Sequence, residues 1–373
     1  MTSSAHFLLT GLLATLAVAG PATAQSPAPN ASAGGDPAAL AEAVSFAPLG
    51  ASAILFTDWA AMRAFHGIDG VTSGSPLDER MDAFMTLSTE EGPFAGFGIA
   101  RLARHAEAWG WDTTDVDWEA AYWTDGPPVA VVRLRDDIDL DPIVAHYDDR
   151  GFSVDSYDDA TIRSHEMDVR ADWITSSDFG VLNTAFLDDG RTLVLSSSVD
   201  GVKAALDARH VQSFRAAPAS LVAGALGAPL SAAIDVGIGS CAAYDPRLAE
   251  GPDGPNAAVL DQAGLLRDWE AMGVGTSRTA DGEPAGRFAF AYGDARDAMA
   301  DLAGRALLAQ QGYSLMTQRP LAERILTLDA FDVDGNVLTL EVTPAEGGGR
   351  RLQQAFLVRD LAFATCSSSP GLS

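Results

Sequence analysis

Apolar positions along the chain switch between a period of two and a helical period, and the switches mark its elements. In Ala185–Arg209, Leu193 and Leu195 fall on one strand face. Ser196-Ser197-Ser198 then offers N-cap oxygens before Val199, Val202, Ala205 and Leu206 at helical spacing. This stretch reads as strand, tight turn, strand and helix. Its opening, AFLDDGRTLVL, returns at Ala330–Leu340 as AFDVDGNVLTL, with Ala, Phe, Asp, Gly, Leu and Leu at the same offsets. Asp189-Gly190 and Asp334-Gly335 are pairs that suit a two-residue type I′ turn.

The same reading predicts strands at Gly50–Phe56, Val129–Leu134, Phe152–Tyr157, Leu230–Ile238, Ala271–Ser277, Arg287–Tyr292 and Gln354–Thr365. It predicts helices at Pro37–Val44, Asp58–His66, Ser75–Leu87, Ile99–Trp109, Leu140–Tyr147 and Asp294–Gln310. Leu77, Met81, Phe84 and Met85 share one face of the third of these. Met299, Leu302, Ala303 and Ala306 share one face of the last. Gly92–Gly98 reads as a glycine-rich turn, and Asp245–Asn256 as a loop. Gly312–Leu315 parallels Gly151–Val154, and Ala228-Pro229-Leu230 echoes Ala47-Pro48-Leu49.

These patterns predict an α+β fold of two related units. Each would hold an antiparallel sheet with an Asp-Gly hairpin and helices on one face. The boundaries are a signal peptide at 1–24, a flexible linker at 25–42, unit one at 43–215, unit two at 216–366 and a disordered tail at 367–373. The first boundary rests on the short apolar run Phe7–Gly20 and the small-residue site Ala22-Thr23-Ala24, which predict cleavage before Gln25. The mature protein is therefore expected outside the cytoplasm, secreted or facing the cell envelope. No later segment reads as a membrane span.

Charge narrows the partners. The formal net charge is −27, and Lys203 is the sole lysine. An acidic surface of this kind does not suit nucleic acid, which needs basic patches. Salt adaptation and genome composition both account for it. Cys241 and Cys366 are the only cysteines, and in an oxidising compartment they are expected to form a disulfide.

Chemistry is sparse. Asp332, Asp334 and Glu341 sit at positions 3, 5 and 12 of a calcium-type loop, but Ala330 holds position 1, so a plain hairpin is the competing reading. Trp109, Trp111, Trp118 and Trp123 could stack a ligand, or could pack in a core. His165-Glu166 lacks the second histidine of a zinc protease, and Val169 stands in its place. No nucleophile elbow or dinucleotide loop is present, no catalytic residue is assigned and no cofactor is expected.

Five segments carry a resemblance: Val129–Leu134, Asp139–Ile143, Gly151-Phe152, Phe186–Gly190 and Val202–Asp207. Over Pro127–Arg209 the chain resembles an exported bacterial repeat family known only as a domain of unknown function. The resemblance implies an architecture and an envelope location, and no activity. The expected function is a non-enzymatic protein that binds an envelope or extracellular partner. The alternative is an extracellular hydrolase with a hidden acid pair.

Overall fold

Alternating apolar residues on the strands build a sheet with two buried faces. On β1 (Ala53–Asp58), Ile54 and Phe56 enter one core and Leu55 another. On β3 (Val129–Leu134), Val129 and Val131 point one way, Val132 and Leu134 the other. The structure, a computed structural model, describes residues 34–91, 102–166, 179–211, 216–237, 240–251 and 253–366. The expected signal peptide, the Gly92–Gly98 turn, Val169 and the tail at 367–373 lie outside the described residues.

The remaining strands are β2 (Val116–Trp123), β4 (Ser153–Tyr157), β5 (Ala160–Ser164), β6 (Asn183–Leu187), β7 (Thr192–Ser196), β8 (Ser231–Val236), β9 (Ala271–Arg278), β10 (Pro284–Ala291), β11 (Leu326–Asp334) and β12 (Val337–Pro344). They form one 12-stranded antiparallel sheet in the order β11-β12-β10-β9-β8-β1-β2-β3-β7-β6-β5-β4. The fold is α+β. The two stretches expected as separate units meet along β1 and β8, paired from Ala53↔Asp235 to Thr57↔Ser231.

Helices cover both faces, not one as the sequence reading had it. On the first face lie α1 (Pro37–Ser45), α6 (Val199–Ala208) and α7 (Ala216–Leu226). On the second lie two clusters. One is built with α2 (Trp59–His66), α3 (Leu77–Glu90), α4 (Leu102–Trp109) and α5 (Asp141–Asp149). The other holds α9 (Ala257–Ala263), α10 (Ala295–Gln311), α11 (Leu321–Arg324) and α12 (Gly348–Leu357) over β8 to β12, and the short α8 (Arg247–Glu250) precedes α9 in the chain. The physical reason is that strands such as β1 and β3 are apolar on both sides, so each side needs a cover.

Between the two clusters of the second face runs a buried polar rank. Glu119, Thr57, Ser231 and Thr276 are direct cross-strand neighbours on β2, β1, β8 and β9, all at most 2% exposed. Trp59 Nε1 donates to Glu119 Oε2 at 3.1 Å, and the Ser231 and Thr276 hydroxyls bond at 2.8 Å. Nearby, the Arg278 guanidinium grips buried Glu91 at 2.6–3.1 Å, and His66 Nε2 meets the same carboxylate at 2.8 Å. These contacts join α2 and the end of α3 to β9.

Several local expectations change. The turn between β6 and β7 is not type I′. Asp188 and Asp189 are its central residues, Gly190 N donates to Leu187 O at 2.8 Å, and only Gly190 takes positive φ, +68°. Asp189 sets this shape by accepting from the amides of Arg191 and Thr192. Between β11 and β12 the loop is Gly335-Asn336, because Asp334 still pairs with Val337. Positive φ at Gly335 alone, +58°, is the pattern of type II′. The linker does not reach residue 42, since Asp36 caps α1 and Leu40 is fully buried. The strand expected at Gln354–Thr365 is instead the end of α12 followed by a 3₁₀ turn at Ala362–Ala364.

Candidate functional site

The C-terminal segment is held down by groups far away in sequence. Arg305, fully buried on α10, donates through Nη1 to the carbonyls of Phe363 at 2.6 Å and Thr365 at 3.0 Å. Trp269 Nε1 donates to Ala364 O at 2.8 Å. Arg305 itself is neutralised by buried Asp301 at 2.9 Å, which also accepts from the Arg267 amide. Cys241, in a 3₁₀ turn after β8, is disulfide-bonded to Cys366 with a Cα separation of 5.4 Å. The expected bridge is present. It joins two irregular turns rather than two strand ends.

These anchors leave a pocket of about 240 Å³ between the last residues and α9. Its wall includes Leu260, Leu265 and Leu266, together with Arg247, Asp261, Thr365 and Cys366. Arg247 is fixed by its own backbone neighbour, since Nε and Nη2 fork onto buried Asp245 at 2.8 and 2.9 Å. Among the described residues, that fork leaves Nη1 without a hydrogen-bond partner. Thr365 is 2% exposed, and its Oγ1 has no hydrogen-bond partner. Asp261 is exposed and, among the described residues, is the one carboxylate on the wall.

The structure scatters the aromatic residues that the sequence grouped. Trp109 and Trp111 are fully buried in the cluster under α2 to α5, with Trp109 against Tyr147 at 5.0 Å. Trp118 is buried on the opposite face. Only Trp123 is open, at 52%. They form no common platform.

The calcium reading fails on register. Asp332 and Asp334 lie opposite Thr339 and Val337, and Glu341 lies opposite Ala330. Asp334 and Glu341 are thus four ranks apart, about 13 Å at strand spacing. Glu341 is paired instead with Arg287 at 2.7 Å. Among the described residues, the exposed group able to converge on one ion is Asp158, Asp159 and His210. There, Arg209 already holds Asp159 through Nη1 at 2.8 and 2.9 Å, and His210 pairs with Asp158.

Other buried carboxyls serve the framework. Burial raises Asp235 above its ordinary value, opposed by the Tyr244 hydroxyl at 2.7 Å and by Arg359. Burial likewise raises Asp58, which caps α2, and Asp360, which holds Ser314 Oγ at 2.6 Å. The pocket residues gave no warning in the sequence. Arg247 sits in a stretch read as loop, and Thr365 in one read as strand, and no motif spacing links them.

No family model matches the chain, and no curated protein matches it. Among solved structures, crystal form I of TP0453 aligns over 85% of this chain and 97% of that chain. The sequence identity is 9% and the TM-score 0.35. No described helix is long and apolar enough to cross a membrane.

Proposed function

We propose that this is an exported, extracytoplasmic binding protein without catalytic activity, cleaved before Gln25. The observation that carries the binding reading is the lining of the pocket beside the disulfide. It offers an anchored guanidinium and three leucines, which are groups that hold a ligand. The hydrolase alternative needs two carboxylates facing one cavity, and among the described residues this wall supplies Asp261 alone. The disulfide is compatible with an oxidising compartment. We also infer that the chain comprises two related units, akin to the exported repeat family. The sheet order supports this, since β1-β2-β3-β7-β6 and β8-β9-β10-β12-β11 follow the same pattern in sequence. On this reading β4 and β5 are an addition to the first unit, and the final helices differ, α6 and α12 lying on opposite faces.

A thermal-shift screen of small metabolites against the mature chain tests the binding reading. Leu265→Arg is the control, because Leu265 is 72% exposed and its replacement blocks the pocket without loading the core. Compounds that raise the melting temperature of the parent and not of the variant are expected. A screen with no such compound overturns the reading. Recovery of the protein from the cell with residues 1–24 still attached would overturn the export.

A further inference from the structure

A surface apart from the pocket carries an inference that does not rest on it. Helix α3 is fixed to the body along one side. Arg80, Ala83 and Leu87 are buried there, Arg80 Nη1 donates to Asp112, and Arg278 holds Glu91 just past the last turn. The adjoining side carries Leu77, Met81 and Met85, each one turn from the next. They are 46%, 42% and 55% exposed, and Phe84 beside them is half-buried. At 1.5 Å per residue the three form a ridge about 12 Å long. The sequence sets these four residues on one face, and the fold leaves most of that face open. Single exposed apolar residues are ordinary on a protein surface, whereas a row of them on one helix marks a place where something docks.

We infer that this ridge docks a basic amphipathic helix of another protein. Charge is the first observation that selects this occupant. At helical spacing Asp78 and Asp82 run along the outer edge of the ridge, and Glu79 shares the first turn. All three are exposed, and among the described residues none has a cation partner. Asp78 and Glu79 also suit the helix dipole, but Asp82 lies beyond the first turn, where the dipole gives it no role. The chain has a net charge of −27, so its field draws in a basic partner. A second copy brings the same acids and the same net charge, and an anionic lipid surface is repelled likewise.

Shape is the second. A helix keeps its backbone hydrogen bonds to itself, so α3 offers no open edge to an extended peptide. A partner helix brings its own backbone bonds and can lay a ridge of side chains alongside Leu77, Met81 and Met85. Two of these three are unbranched methionines, which adapt to the shape of what packs on them.

The probe is a synthetic peptide of about 18 residues, with leucine and lysine set at helical period so that it folds once docked. Two controls accompany it. One has the same residues in an order that makes no apolar face, and the other has glutamate in place of every lysine. Binding to the full chain is followed by calorimetry and by circular dichroism of the peptide. The patterned peptide is expected to bind and gain helix, and both controls to bind at least about tenfold more weakly. Met81→Gln combined with Met85→Gln keeps size and helix propensity, and should weaken binding by about tenfold or more. Asp78→Asn combined with Asp82→Asn should weaken it less and flatten its dependence on salt. All four positions are exposed, so the melting temperature should stay where it is in both variants. Leu265→Arg should bind the peptide as the parent does, which separates this surface from the pocket. Equal binding of the patterned and reordered peptides would overturn the proposal. So would binding undiminished in the glutamine variant, or no binding at all. Self-association lost in the glutamine variant would give the ridge to a second copy. Flotation with phosphatidylcholine vesicles, lost in the same variant, would give it to lipid. Either result overturns the proposal.

Discussion

Asp235 shows how a single side chain makes stability depend on pH. Burial raises its carboxyl above the ordinary 3.8, with the Tyr244 hydroxyl and Arg359 acting the other way. Between 3.8 and the raised value, the folded state binds more protons than the unfolded one. Stability contributed here is therefore present at low pH and lost as pH rises through that window. Asp235→Asn keeps an oxygen for Tyr244 and removes the charge. Its melting temperature should gain on the parent as pH climbs from about 3 to 8. An offset that stays constant across that range would refute the argument. Arg305 is the opposite case, a buried cation whose charge is fully used. Replacing it with Met leaves fully buried Asp301 with Arg267 Nη1, at 3.1 Å, as its ion-pair partner and frees the Phe363 and Thr365 carbonyls. The expected loss is about 3–5 kcal/mol in denaturant melts. A loss below about 1 kcal/mol would mean the pair is not the fastener described.

Among elements, β9 explains why α7 sits so close to the sheet. Gly273 and Gly275 face that helix, and a Cβ on Gly273 would lie 2.5 Å from Val222 Cγ1 and 3.1 Å from Leu226 Cδ1. Gly273→Ala therefore forces the helix outward and should cost roughly 1–3 kcal/mol, read as a lower midpoint in urea. An unchanged midpoint would show that α7 yields freely. The same element shows where the sequence was legible. β9 and β10 were expected nearly as they stand, because Met272, Val274, Phe288 and Phe290 alternate with small residues. α10 was expected at Asp294–Gln310, but half of the expected face turns outward: Ala306 is buried and Leu302 packs against the core, while Met299 and Ala303 are exposed. Met299 is 60% exposed, and the buried side carries Asp301 and Arg305, which hydrophobic periodicity cannot reveal. β2 was missed because its four alternating core residues include a tryptophan and a tyrosine, read as aromatic crowding. α12 was missed although Leu352, Ala355 and Phe356 keep helical spacing, because the apolar run after it suggested a strand. The candidate pocket was not legible at all. Its residues meet only through the disulfide and the Arg305 anchors, which are contacts between distant segments.

For the whole molecule, the decisive feature is that the two stretches share one sheet. β1 and β8 pair over five residues, and the rank Glu119–Thr57–Ser231–Thr276 crosses that seam with buried polar groups on both sides. Splitting the chain at residue 215 would expose the backbone of both strands and leave this rank facing water. It would also part Glu91 from Arg278, and each of these is held by the other at 2.6 Å. An edge so exposed is a site for aggregation rather than a stable surface. The intact chain should accordingly unfold in a single calorimetric transition, with matching van't Hoff and calorimetric enthalpies. Residues 25–215 and 216–373 expressed apart should each aggregate or remain partly unfolded, and recover structure when mixed. Reduction of Cys241–Cys366, which closes a loop with a sequence separation of 125, should lower stability by about 2–5 kcal/mol. It should do so without splitting the transition, because the bridge lies within the 216–366 half and the β1–β8 seam is untouched. Two resolved transitions in the oxidised protein would mean that the seam does not couple the halves, and that the continuous sheet behaves as two independent folds.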